Sequence, residues 1–220
     1  MRRGSVILAA AGVLILLGPE GAGARVDCPP SPSASTAPAA ILVVGRHLGE
    51  PDPAGMFAVT VRELAGSPVP GSMVVVDFSG CDDLRLCQEQ APGEIVDCAS
   101  HTVRGFTGAD GVARFVITGA ARNLRGGAGA GAGCARIYAD GVMLGSATVA
   151  VPDENGAVAA PGVEVTDMVS FLADLAGGAY LGRSDFDGDG IVDVRDLSTL
   201  LRMLGTGASS ESCRSSGLCP

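Results

Sequence analysis

Hydrophobic positions along the chain change period twice. Val6–Leu17 is an unbroken run of twelve apolar or small residues behind Arg2 and Arg3, and Ala22-Gly23-Ala24 fits the small-residue cleavage rule. This predicts a secretory signal peptide over residues 1–24, because twelve residues are too few to span a bilayer. Residues 25–40 include PPSPSASTAPAA and read as a Pro/Ser/Ala linker with nothing to bury. From 41 to 151 short β-rich runs recur: 41–44, 56–63, 73–78, 102–106, 112–118, 135–139 and 142–151. In MFAVTVRE the alternation puts Phe57, Val59 and Val61 on one face. Asp110-Gly111 and Asp140-Gly141 predict hairpin turns, since Gly tolerates positive φ. Short strands at this spacing predict an antiparallel β-sandwich.

After Pro152 the period becomes helical. Leu197, Leu200, Leu201 and Leu204 recur on one stripe, and Gly205 ends the run. Met168, Phe171, Leu172 and Leu175 do the same upstream, ending at Gly177-Gly178. The segments VEVTDMVSFLADLAGG and VDVRDLSTLLRMLGTG align with an offset of 29 residues, which is an internal duplication. Each helix carries one apolar stripe, and the other helix is its obvious partner. The expected organisation is therefore mainly β with a small α module: a sandwich over 41–151, a helical module over 152–207 and a Cys-containing tail over 208–220.

Charge sharpens this division. The chain has 220 residues and a net charge of −9, and all 15 basic residues are Arg. The absence of Lys excludes Schiff-base chemistry and a phosphate-loop lysine. The acidic balance argues against a nucleic-acid partner. From 25 to 151 there are nine Arg against twelve acids, and from 152 onward four Arg against eleven, so the acidity belongs mostly to the C-terminal part. No second stretch is apolar enough for a membrane span in the mature protein.

Seven cysteines fit export into an oxidising compartment and leave one over. Cys81/Cys87 and Cys213/Cys219, each pair separated by five residues, could close small loops, with Cys98 and Cys134 stapling the β-domain. Spacing does not fix the connectivity.

The segments GSPVPGSMVVVDFS, TGADGVARFVITG and CARIYADGVMLGSATVAV resemble bacterial Ig-like domains. The resemblance covers 39–151 and implies an Ig-like β-sandwich acting as a spacer, stalk or adhesion unit. The chain departs from that pattern by a Cys-rich insertion at 81–98 and by GGAGAGAG at 126–133.

The strongest chemical signal is Asp185-Phe186-Asp187-Gly188-Asp189-Gly190-Ile191-Val192-Asp193-Val194-Arg195-Asp196. A twelve-residue EF-hand loop ligates Ca²⁺ from positions 1, 3, 5, 7, 9 and 12, with Gly at 6 for the sharp turn. Asp185, Asp187 and Asp189 fill the first three, Ile191 offers its backbone carbonyl and turns its side chain to the core, Asp193 stands at 9 and Asp196 closes the site. Five Asp in twelve residues repel one another unless a cation is bound.

The duplicated loop–helix unit resembles the dockerin module of exported bacterial proteins, over 153–205. The second half fits the motif D-x-D-x-D-G-x-x-D-x-x-D-L residue for residue, through Leu197. The first half is degenerate. One register puts Gly156, Val158 and Ala160 at ligand positions; another starts a loop lengthened by three residues at Asp153 and Asn155, closing at Asp167 with Glu164 nearby. The resemblance implies a cohesin-like partner domain that reads loop positions 10 and 11, here Val194-Arg195 and Val165-Thr166. It also implies attachment within polysaccharide-degrading assemblies or at a cell surface.

No nucleophile elbow and no H-E-x-x-H motif occurs, so no catalytic residue is expected. The sequence thus reads as a secreted or surface, Ca²⁺-binding, non-catalytic attachment protein. The alternative is a structural or adhesion protein in which Ca²⁺ only stabilises the C-terminal module. A hydrolase or its accessory subunit is the third reading.

Overall fold

Alternation along a strand decides which of its side chains face the core. The computed structural model describes residues 29–122, 133–154, 162–177, 182–211, 213 and 217–219. The expected signal peptide, Cys28, nearly all of the Gly/Ala tract and Asn155 lie outside these residues.

Twelve strands are described: β1 (Ala40–Leu42), β2 (Arg46–His47), β3 (Glu50–Pro51), β4 (Met56–Thr60), β5 (Met73–Asp77), β6 (Leu84–Leu86), β7 (Ile95–Asp97), β8 (Thr102–Phe106), β9 (Val112–Val116), β10 (Gly119–Ala121), β11 (Ala135–Ala139) and β12 (Val142–Ala150). The largest sheet has six strands in the order β1-β12-β11-β5-β8-β7. In β5, Val74 and Val76 are fully buried, and Val76 is in register with Val103 of β8 and Ile137 of β11. These side chains share a core with Val59 and Val61 beside β4, Phe115 of β9 and Leu86 of β6. Phe57 stacks on Phe115 at 5.4 Å, so the predicted face of MFAVTVRE is the core-facing one. Gly105 of β8 lies against the Phe115 ring, where a Cβ would come within 3.0 Å.

Two features depart from the expectation, the β1–β12 pairing and the Asp110-Gly111 turn, whereas the Asp140-Gly141 hairpin meets it. β1 pairs with β12 in parallel, which a pair so far apart in sequence allows, since parallel neighbours need a long connection. Asp140 and Gly141 have φ of 47° and 81° and join β11 to β12 as a tight hairpin. Asp110-Gly111 also turns, but β8 pairs with β5 and β7 whereas β9 pairs with β4. Gly111 sits against Val61 and Pro68 at this crossing, so the turn changes sheets and closes no hairpin.

The residues expected as a linker are pinned: Ser31 donates its amide to the Arg62 carbonyl at 2.8 Å, and Thr36 bridges to Thr60. The tail is pinned too, with the Arg46 amide donating to the Glu211 carbonyl and Cys87 bridging to Leu218.

The disulfides are Cys81–Cys134, Cys87–Cys213 and Cys98–Cys219. None of the small loops suggested by spacing forms. Cys81 and Cys87 flank β6, and an extended strand carries its ends apart, beyond the reach of a disulfide. Three disulfides point to an extracellular or otherwise oxidising compartment. Among the described residues no helix is long and apolar enough to cross a membrane.

Two helices, α1 (Val165–Gly177) and α2 (Val194–Thr206), have the same length of 13 residues and the offset of the sequence duplication. α2 starts in a capping box: Asp193 accepts from the Arg195 amide, and Asp196 accepts from the Asp193 amide at 2.9 Å. It runs past Gly205 and ends at Gly207, whose φ is 66°. The helices bury Phe171, Leu200 and Met203 in a second core that also contains Val44 and Ala150 of the β-part. Leu172 and Leu201, expected on the apolar stripes, are exposed.

Candidate metal centre

The loop before α2 is built by its own carboxylates. Asp185 accepts from the amides of Gly188 (2.9 Å) and Gly190 (2.9 Å), which curls the chain around it. Both glycines have positive φ, 73° and 88°. Asp187 accepts from the Asp189 amide and Asp189 from the Ile191 amide. As a result one carboxylate oxygen from each of Asp185, Asp187 and Asp189 lies within 4.8 Å of the others. Asp185 is buried, while Asp187 and Asp189 face solvent.

This donor set fits a hard divalent cation: three convergent carboxylates from positions 1, 3 and 5 of a loop with Gly at 6. Asp193 and Asp196 stand outside the three-residue group. Asp196 is fully buried and accepts from the amides of Phe186 (2.6 Å), Asp187 and Asp193. Burial, aided by the neighbouring Asp187 carboxylate, holds its carboxyl above the ordinary range, against the pull of those three amides. Asp189 also pairs with Arg195 at 3.0 Å on the exposed side.

Ile191 does not enter the core. Its side chain is 59% exposed, and Phe186 takes the interior place, stacked on Phe171 at 5.6 Å. The reason is local: the Asp196 carboxylate holds the Phe186 amide at the loop's inner wall, beside the buried Asp185, while Asp187 faces solvent.

The described residues before α1 repeat part of the second loop's bonding, with Asp153 in the place of Asp185. Asp167 accepts from the amides of Glu154 and Glu164, each at 2.8 Å, as Asp196 does from Phe186 and Asp193. Asp153 accepts from the Gly162 amide, in the manner of Asp185 and Gly190. Glu164 accepts from the Thr166 hydroxyl. Asp153 and Asp167 are thus scaffold carboxylates of a second, longer loop, and among the described residues the grouping of convergent ligand atoms is the one at Asp185.

A buried ionic cluster that sequence reasoning missed stands beside these loops. Arg183, in the short 3-10 turn Gly182–Ser184, is 2% exposed. It forks onto Asp174 of α1 at 2.8 and 2.9 Å and reaches Asp83 of the Cys-rich insertion at 3.3 Å. Ser184 lies within hydrogen-bond distance of Glu154 and Asp174. Burial opposes the Arg183 charge, but Asp174, Glu154 and Asp83 outweigh it and hold the guanidinium firmly protonated. Glu154 is pushed up to about 8, by burial first and then by the Asp174 and Asp167 carboxylates, against the pull of Arg183 and Ser184. One signal was available: Asp174 is three residues after Phe171, a charged position on an otherwise inward stripe.

The four residues at loop positions 10 and 11, Val165, Thr166, Val194 and Arg195, are all exposed at the starts of the helices. Val169 and Leu172 of α1 and Leu201 of α2 are exposed further along. No protein-family model matches this chain, and neither a curated protein nor a solved structure matches it.

Proposed function

We propose that the chain is an exported, non-catalytic Ca²⁺-binding protein that attaches to a partner domain or surface through its helical pair. The observation that carries the reading is the convergence of the Asp185, Asp187 and Asp189 carboxylates within 4.8 Å of one another. Ca²⁺ suits it better than Mg²⁺: a flexible, carboxylate-rich loop serves a cation with six to eight ligands, whereas Mg²⁺ demands a strict octahedron and retains its waters. The Ile191 carbonyl, Asp193 and Asp196 would complete the shell by small shifts, and water would supply the rest. The first loop, with Asp153, Asn155, Glu164 and Asp167, is the weaker candidate, because among the described residues no convergent group of carboxylate oxygens like that at Asp185 forms there.

The attachment surface follows from the duplication. Exposed Val165 and Leu172 on α1 answer to Val194 and Leu201 on α2 with the 29-residue offset seen in the sequence, and exposed Val169 adds to the α1 face. Apolar side chains repeated on two outward faces suit a protein partner, and the dockerin resemblance names a cohesin-type domain. The Ig-like sandwich would then be the spacer. The structural alternative has its own support: Gly188 of the metal loop packs directly on Ala40 of β1, so a cation there would also stiffen the joint.

Calorimetry tests the reading. Ca²⁺ binds the wild type with a stoichiometry of at least one, and Asp189→Ala removes that site while leaving the fold intact, because Asp189 is exposed. An absence of heat at millimolar Ca²⁺ refutes the metal site. Capture of a cohesin-type domain by the loaded chain, lost on addition of chelator, separates attachment from simple stiffening.

A further inference from the structure

Every disulfide of the described chain has one end in the same short segment. Cys81, Cys87 and Cys98 reach respectively Cys134 just ahead of β11, Cys213 in the middle of the tail and Cys219 near its end. That segment, 81–98, interrupts the β-domain between β5 and β8 and contributes two short strands, β6 and β7, to different sheets. Its polar groups reach just as far. Asp83 takes the buried Arg183 of the helical module across 100 positions of sequence. The Gln88 side chain donates to the Leu218 carbonyl of the tail. Gln90 donates to the Thr118 carbonyl and accepts from the Thr118 amide, gripping the β-domain itself.

The tail in turn touches the helical module. The Val163 amide donates to the Ser209 carbonyl at 2.7 Å, just ahead of α1. The Ser209 hydroxyl donates to Asp52 and so closes the circuit back to the β-domain.

We infer that segment 81–98 is a clamp that fastens the helical pair to the β-domain, with the two tail disulfides as covalent latches and Arg183–Asp83 as an ionic one. The physical reasons are separable. The covalent latches close loops of 126 and 121 residues, which removes much chain entropy from any state in which the tail is detached. The ionic latch is specific, because a buried guanidinium without its carboxylates is strongly disfavoured, so Arg183 has no comfortable state away from Asp83 and Asp174. The clamp therefore turns two regions that differ in period and charge into one cooperative unit. The outward faces of α1 and α2 keep a fixed bearing relative to the sheet. The clamp does not depend on a bound cation.

Hydrogen exchange on the full oxidised chain, in chelator, tests this. In the wild type, the slowest amides of α1 and α2 open with the same free energy as those of β5 and β11, as members of one unit. Replacing the latch cysteines by Ser at positions 87, 98, 213 and 219, with Cys81–Cys134 retained, speeds helix exchange by about a hundredfold or more and leaves β5 and β11 protected. Arg183→Met with all disulfides intact does the same by about tenfold or more, and serves if the Ser variant does not fold. Helix amides that already open independently of the sheet in the wild type overturn the clamp. Helix protection unchanged in Arg183→Met overturns the ionic latch.

Discussion

Glu94 shows how a single carboxyl records its surroundings. Its Oε1 accepts from the Val116 amide at 2.7 Å, and its Oε2 is buried with no hydrogen-bond partner. Burial pushes this carboxyl up to about 7, although the Val116 and Ala91 amides and Arg46 pull the other way. A carboxyl raised on folding is protonated in the folded state while the unfolded chain ionises. Its favourable contribution is full below about pH 4.5 and is lost as pH rises towards 7. Glu94→Gln keeps the acceptor and removes the charge. Urea denaturation at pH 5 and pH 8 will show a smaller fall in stability across that interval for the variant than for the wild type. At the same scale, Asp196 and Asp167 were legible as loop-closing acids, since spacing alone gives the position. Ile191 was not, because whether its side chain turns in or out depends on which neighbour Asp196 holds, and that neighbour is Phe186.

Among the elements, the two helices were the most legible, since thirteen residues give the periodicity room to repeat. Strands of five residues or more were legible for the same reason: β8 and β11 span the residues the pattern assigns them. The strands β2, β3, β6, β7 and β10 have two or three residues each, too few for alternation to register. What fixes them is tertiary: β6 pairs with β10, and Cys81 and Cys87 tie its flanks to Cys134 and Cys213. The end of α2 was misplaced by two residues because Gly205 and Gly207 both look like stops, and the left-handed φ of 66° falls at Gly207. Gly207→Ala puts a Cβ in that conformation and costs about 1 kcal/mol, read as a lower urea midpoint with an unchanged slope. Val169→Glu, on the exposed face of α1, changes stability by less than about 0.5 kcal/mol. In the proposed attachment role it nevertheless abolishes capture of the partner domain, checked by titrating folded variant against that domain.

For the molecule as a whole, the boundary near Pro152 was legible in charge and period, but the way the parts meet was not. The second core draws Val44 and Ala150 from the β-part and Phe171, Phe186, Leu200 and Met203 from the helical part. No local pattern distinguishes a valine that faces its own sheet from one that faces a neighbouring module. The disulfide pairing was illegible for a related reason: sequence distance favours near neighbours, and here the partners lie 53, 126 and 121 positions apart.

That connectivity sets an order of events in synthesis. Cys81, Cys87 and Cys98 emerge long before Cys213 and Cys219, and for that interval the other sulfurs at hand are Cys28 and Cys134 besides each other. Oxidation before the C-terminus arrives therefore pairs Cys87 or Cys98 with a temporary partner, a bond that thiol–disulfide exchange must undo. The yield of correctly bridged protein is governed by a disulfide isomerase rather than by an oxidant alone. Refolding of the reduced chain with and without isomerase, followed by mapping of the three bonds, measures that dependence directly.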